Sequence, residues 1–176
     1  MRLRTLTSLA TMLATLLATP LVGAGLPAFA QQAERMSIEV FPFELEDKSA
    51  GAGIIPPDEH DIRYLSESAQ VAKDMLSRSG RFTVIDAPAG DEQAAATGGL
   101  RNCSGCEGRI AKEHGASFAL LGVVTRVNRT EHTMFIRILD AETGKPVSMG
   151  FTDLRMGANH GWPRSARWVM TNKILQ

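Results

Sequence analysis

Cys103 and Cys106 are the two cysteines of this 176-residue chain, and two residues separate them in "RNCSGCEGRIAKEHGA", positions 101–116. Four chemistries use that spacing. Covalent haem attachment needs C-x-x-C-H, because the histidine supplies the axial ligand; here Glu107 follows Cys106, so that reading falls. A zinc site needs about four ligands, three of them from protein even when it is catalytic. Cys103, Cys106 and His114 would supply three only if the helix folded back, and His60, His132 and His160 lie on other segments. No metal is therefore expected. Thiol–disulfide exchange is the stronger rival, since a helix amino terminus lowers a thiolate pKa. Exchange catalysts, however, place the motif directly after a buried strand, and here it follows the loop-like "ATGGLRN". The remaining reading is a structural disulfide that tightens the entry to a helix, worth about 2 kcal/mol for so small a ring. The residues favour the clip, and exchange stays open as the alternative.

Other residues with chemical potential give less. Asp58-Glu59-His60-Asp61 resembles a cation or acid/base cluster, but consecutive helical residues point in different directions and negative charge belongs at a helix amino end. His114 is expected near the carboxyl end of its helix, where positive charge is favourable. No G-x-S-x-G or S-x-x-K pattern offers a nucleophile, and "GAGI" and "TGGL" are isolated glycines without a phosphate-binding pattern. "NRT" (128–130) reads as a turn. The expectation is a protein with no catalytic residues and no cofactor. Trp162, Arg164 and Trp168 are of the types that anchor protein interfaces. Six residues apart on a helix, the two tryptophans face different ways, so one belongs to the core and the other to an edge or the surface.

Residues 1–30 carry the order of a secretory signal peptide: Arg2 and Arg4, an apolar run, then Ala28-Phe29-Ala30 before Gln31. Pro20, Gly23, Gly25 and Pro27 interrupt the roughly 20 apolar residues that a spanning helix needs. Cleavage after Ala30 and a periplasmic location are expected, with no membrane span thereafter and residues 31–176 forming a single domain. The full chain is neutral, with 19 Lys+Arg and 19 Asp+Glu. Without a basic run it has no electrostatic footprint for nucleic acid, and two cysteines exclude a disulfide-rich scaffold.

The elements that must position these residues follow from periodicity. "SIEVFPFEL" (37–45) reads as a strand, and 46–57 as a loop. In 58–80, Ile62, Leu65, Ala69, Ala72 and Leu76 alternate spacings of three and four, which marks one helix face ended by Gly80. "RFTVID" (81–86) is a strand, 87–102 a long connection, and 106–116 a short helix. Strands at 117–127, 131–142 and 146–155, joined by compact turns, make an antiparallel meander. A closing helix covers 162–175, with Pro163 in its first turn. The order is β-α-β-α-β-β-β-α, an α/β chain of the α+β type with a single mixed sheet and helices packed on it.

Three stretches together are familiar: "VFPFELEDKS", "IAKEHGASFALLGVVTRVNRT…MFIRILDAETGKPV" and "DLRMGANHGWPRSAR". They resemble the secreted bacterial family called domain of unknown function 3280, whose members often carry a CxxC before the second helix. In that family the meander ends in D-[IL]-R-G-N followed by a tryptophan and a basic residue. The matching positions are Asp153, Arg155, Asn159, Trp162 and Arg164. With Trp168 they form the candidate interaction surface, together with the strand edge of the meander. Met156 and His160-Gly161 depart from the pattern. The segment "GASFALLGVVTRV…IRILDAETGKPV" also resembles, more distantly, the amino-terminal α/β domain of TolB and the curli-secretion protein CsgG. These resemblances imply a TolB-like fold and a non-enzymatic accessory protein that binds another periplasmic or envelope protein. Service to a periplasmic quinoprotein dehydrogenase is a further implication; the alternative is a thiol–disulfide, metal or small-ligand carrier using the cysteine pair.

Overall fold

The computed structural model describes residues 35–87, 98–155 and 161–176, and for Arg155 the backbone alone. The signal-peptide reading of residues 1–30 lies outside them. No helix among the described residues is long and apolar enough to cross a membrane.

The "SIEVFPFEL" run, expected as one strand, forms two: β1 (Met36–Val40) and β2 (Glu44–Asp47). Pro42 lacks an amide proton for a ladder, and strands break at such positions. Both pieces lie parallel to the same neighbour, β4 (Phe118–Arg126). Their registers, Ile38 with Phe118 and Glu44 with Val123, differ by one residue. The extra residue at 41–43 turns Phe41 to one face of the sheet and Phe43 to the other. Phe43 then lies directly over Gly122, where any Cβ would collide with its ring.

Helix α1 (Glu59–Arg78) follows. Its start is a capping box: the Asp61 amide donates to Asp58 Oδ1 at 2.9 Å, and the Asp58 amide donates to Asp61 Oδ2 at 3.1 Å. Of the expected face, Ala69, Ala72 and Leu76 are buried and Leu65 packs against the core. Ile62 does not join them and is exposed. Gly80, in the left-handed region (φ 70°), turns the chain into β3 (Phe82–Asp86), which runs parallel to β1.

A 3-10 turn (Leu100–Asn102) leads into α2 (Cys106–Glu113). The meander is β4, β5 (Glu131–Asp140) and β6 (Pro146–Arg155), paired antiparallel. Its second turn is held by Asp140, which accepts bonds from the Thr143 amide (2.7 Å) and hydroxyl (2.9 Å). Helix α3 (Trp162–Val169) runs on through a π-helical turn, Met170–Ile174.

The sheet order is β3-β1-β4-β5-β6, with β2 also on β4. This mixed α/β architecture is the expected one, with β2 added. Helices α1 and α3 cover one face, where Ile38, Val40, Leu120, Val124, Met134, Ile136 and Ile138 meet Leu76, Trp162, Val169 and Met170. Among the described residues, α2 and the 3-10 turn serve the other face, closing Phe41, Ala119 and Leu121 under Leu100, Ile110 and Ala111.

Candidate functional site

The cysteines form a Cys103–Cys106 disulfide. It ties the end of the 3-10 turn to the first residue of α2 across Gly105, whose left-handed φ of 86° a side chain would strain. Glu107, the next residue, is fully buried, and Arg137 of β5 closes on its Oε1 at 2.5 Å. His114, at the carboxyl end of α2 as expected, also pairs its Nδ1 with buried Glu39 of β1 at 2.9 Å. An ion pair and a histidine–carboxylate contact therefore fasten α2 to the sheet, and Glu44 adds a third tie by accepting from the amides of Leu100 (2.6 Å) and Arg101 (3.0 Å). The sequence reading missed these ties. They join residues 30 to 75 apart, and no local spacing announces them.

The acidic start of α1 is likewise a structural device. Arg126 donates to Asp47 at 3.1 Å and to Asp61, so one guanidinium joins β2, β4 and the start of α1. Its pairing with Asp61 raises the Arg126 pKa. Hydrogen bonds from Ser49 hold the Asp47 carboxyl below its ordinary value, and the Asp61 amide does the same for Asp58. Beside this cluster His132 lies against Trp162, with ring centres 5.6 Å apart and planes tilted by 55°. Burial, and then the charge of Arg126, lower the His132 pKa. A cleft of about 540 Å³ opens here, but both ends of the Arg126 guanidinium are already engaged by carboxylates.

Of the candidate interaction residues, the structure brings three together. Asp153, Arg164 and Trp168 line a groove of about 380 Å³ between the end of β6 and the outer face of α3, with Thr152, Arg167 and Asn172. Trp168 is 46% exposed, and Lys173 Nζ sits 5.9 Å from the centre of its ring. Trp162 does not belong to this surface. It is 7% exposed, wedged between His132 and Tyr64, whose ring lies at 6.0 Å. The two tryptophans divide as their spacing required, one to the core and one to the surface. Asn159 lies outside the described residues, as does the side chain of Arg155.

Strand β6 supplies the part of the site that the sequence reading located only as the strand edge of the meander, without its residues. Its side chains alternate, but the usual assignment is reversed. Ser148 and Gly150 face α3, where a Cβ on Gly150 would stand 2.5 Å from Lys173 Cβ and 2.7 Å from Val169 Cγ1. The small residues admit the helix. Val147, Met149 and Phe151 face the other way and are more than half exposed. Phe135 of β5 pairs with Phe151 on that face. Among the described residues no element covers this patch and no strand pairs with the outer edge of β6. The signal was present in "PVSMGFT": apolar residues alternate with Ser, Gly and Thr, so the large side chains must share one face.

No curated protein matches the chain in sequence. Among solved structures it is similar to the PelC dodecamer from Paraburkholderia phytofirmans (14% identity, TM-score 0.44, 82% of this chain and 86% of that one). It is also similar to lipoprotein GNA1162 from Neisseria meningitidis (20% identity, TM-score 0.44, 70% and 83%) and to TolB from Acinetobacter baumannii (10% identity, TM-score 0.43, 77% and 26%). The model of the DUF3280 family, described as "Protein of unknown function (DUF2380)", matches residues 36–174, and the chain belongs to that family.

Proposed function

We propose that this chain is a non-enzymatic accessory protein, exported to the bacterial envelope, whose task is to bind another envelope protein. The observation that carries the reading is the reversed pattern of β6. Three large apolar side chains are held in water by a strand whose opposite face is already packed. Contiguous apolar surface of this kind marks an interaction site, and on the other side of the β6 edge the half-exposed Trp168 is an aromatic of the type that interfaces favour. The Arg126–Asp47–Asp61 and Arg137–Glu107 pairs fasten helices to the sheet, which supports a binding role over a catalytic one. Export rests on the leader, and service to a quinoprotein dehydrogenase is the finer form of the proposal, resting on the family resemblance alone.

Site-specific photo-crosslinking in cells tests this. A benzoyl-phenylalanine at position 149 is expected to capture one discrete envelope protein, and the same probe at Gln70, exposed on α1, is not. Equal capture at both positions, none at either, or capture only of a second copy of this chain would overturn the reading.

A further inference from the structure

The outer edge of β6 lies between two surfaces of different chemistry, and that juxtaposition specifies what fits there. We propose that β6 is a strand acceptor: it takes an extended segment of the partner protein into the sheet, one whose residues alternate apolar and acidic. The inference rests on the protein-binding reading above and names the recognition mode.

The geometry runs as follows. An open strand edge presents unpaired amide and carbonyl groups, and an incoming strand satisfies them at about 4.8 Å from its neighbour. Side chains of the added strand alternate between the two faces, as they do in any strand. On one face they fall beside Val147, Met149 and Phe151, which are exposed and apolar. Burying such side chains is worth about 25 cal/mol per Å², so this face selects apolar partners. On the other face they enter the groove of about 380 Å³ under α3. Its wall carries Arg164, Arg167 and Trp168, and Lys173 lies over the Trp168 ring. Among the described residues, Arg167 and Lys173 stand here beside one acid, Asp153. Carboxylates are the complementary charge, and the indole supplies a flat apolar floor for their methylenes. Natural edge strands are commonly blunted by charge, proline or a bulge. In β6, Pro146 stands at the first position, the register irregularity lies at Ile138/Leu139 of β5, and the charges Asp153 and Arg155 come at the far end. The stretch from Val147 to Thr152 carries none of these devices.

The test uses the purified protein and a blocked eight-residue peptide of alternating valine and glutamate. The expected result is saturable binding, quenching or shift of Trp168 fluorescence, and slowed amide hydrogen exchange within residues 147–154. A valine–lysine peptide is expected to bind at least about tenfold more weakly, a difference of about 1.4 kcal/mol. A valine–glutamate peptide N-methylated at alternate amides, which cannot pair along a strand, is expected not to bind. Trp168→Phe should abolish the fluorescence response and retain the exchange protection; Arg164→Glu with Arg167→Glu should invert the glutamate-over-lysine preference. Equal binding of the two peptides, binding without protection of β6, or no binding would overturn the inference. Loss of peptide binding with crosslinking at position 149 intact overturns strand addition alone, whereas loss of both removes the binding reading with it.

Discussion

One row of side chains crosses the sheet from Leu121 on β4 through Arg137 on β5 to Met149 on β6. All three point to the same face, yet Leu121 is 0% exposed and Met149 is 53% exposed. Arg137 marks the boundary, its guanidinium held by Glu107 at the start of α2. The difference has a geometric cause. A helix is about 10 Å across and strands are about 4.8 Å apart, so one short helix covers about two strands. Among the described residues the α1/α3 face has two helices; the α2 face has one, which reaches Arg137 of β5 and leaves the apolar side chains of β6 exposed. Among those residues no element covers the apolar face of β6.

The largest expected effect lies at the covered end of the row. Leu121→Ala should cost about 3 kcal/mol of stability in urea denaturation, because it opens a cavity between β4 and α2. A cost near zero would mean that α2 does not seal that end. At the boundary, Glu107→Ala leaves Arg137 without its partner. The expected loss is about 2 kcal/mol, below the 3 kcal/mol or more of a fully buried pair, since Arg137 retains access to water. Adding Arg137→Met should recover part of it, which separates a stranded charge from simple loss of packing.

The clip that starts the covering helix comes next. Cys103→Ser with Cys106→Ser should leave a folded protein destabilised by up to about 2 kcal/mol, read as a lower melting temperature. Failure to fold, or mixed disulfides trapped by alkylation in cells, would replace the clip with a larger or an exchanging role. On the opposite face, His132 provides a pH signature. Its folded-state pKa lies below the ordinary 6.5, so the unfolded chain binds the extra proton between those two values. Stability therefore rises with pH through that window and falls as pH drops from about 6.5. His132→Phe should flatten this part of the stability–pH curve, and an unchanged slope would contradict the assignment. The smallest effect belongs to the bare end: Met149→Ala should change stability by less than about 0.5 kcal/mol. A loss comparable to that of Leu121→Ala would show that Met149 is covered within the molecule, and the contrast would disappear.

Much of this architecture was legible from local patterns. Helix α1 was readable because Asp58, Asp61 and Gly80 are start and stop signals that act within a few residues. The meander was readable because its strands pair through short turns. The division of Trp162 from Trp168 followed from helical angle, although which one was buried did not. Ile62 was misassigned because periodicity reports a stripe and not which of its residues the tertiary packing covers.

The sequence by itself determined the kinds and order of the elements, the cysteine clip and the family, since these depend on propensity, spacing and motif. Only the tertiary structure decided that Pro42 splits the first strand onto one neighbour, that Arg126 gathers Asp47 and Asp61, that Glu107 meets Arg137, and that β6 turns its apolar side away from α3. Each of these joins residues distant in the chain. Such pairings are fixed by how the helices are shared between the two faces of one sheet, a choice made when the layers pack.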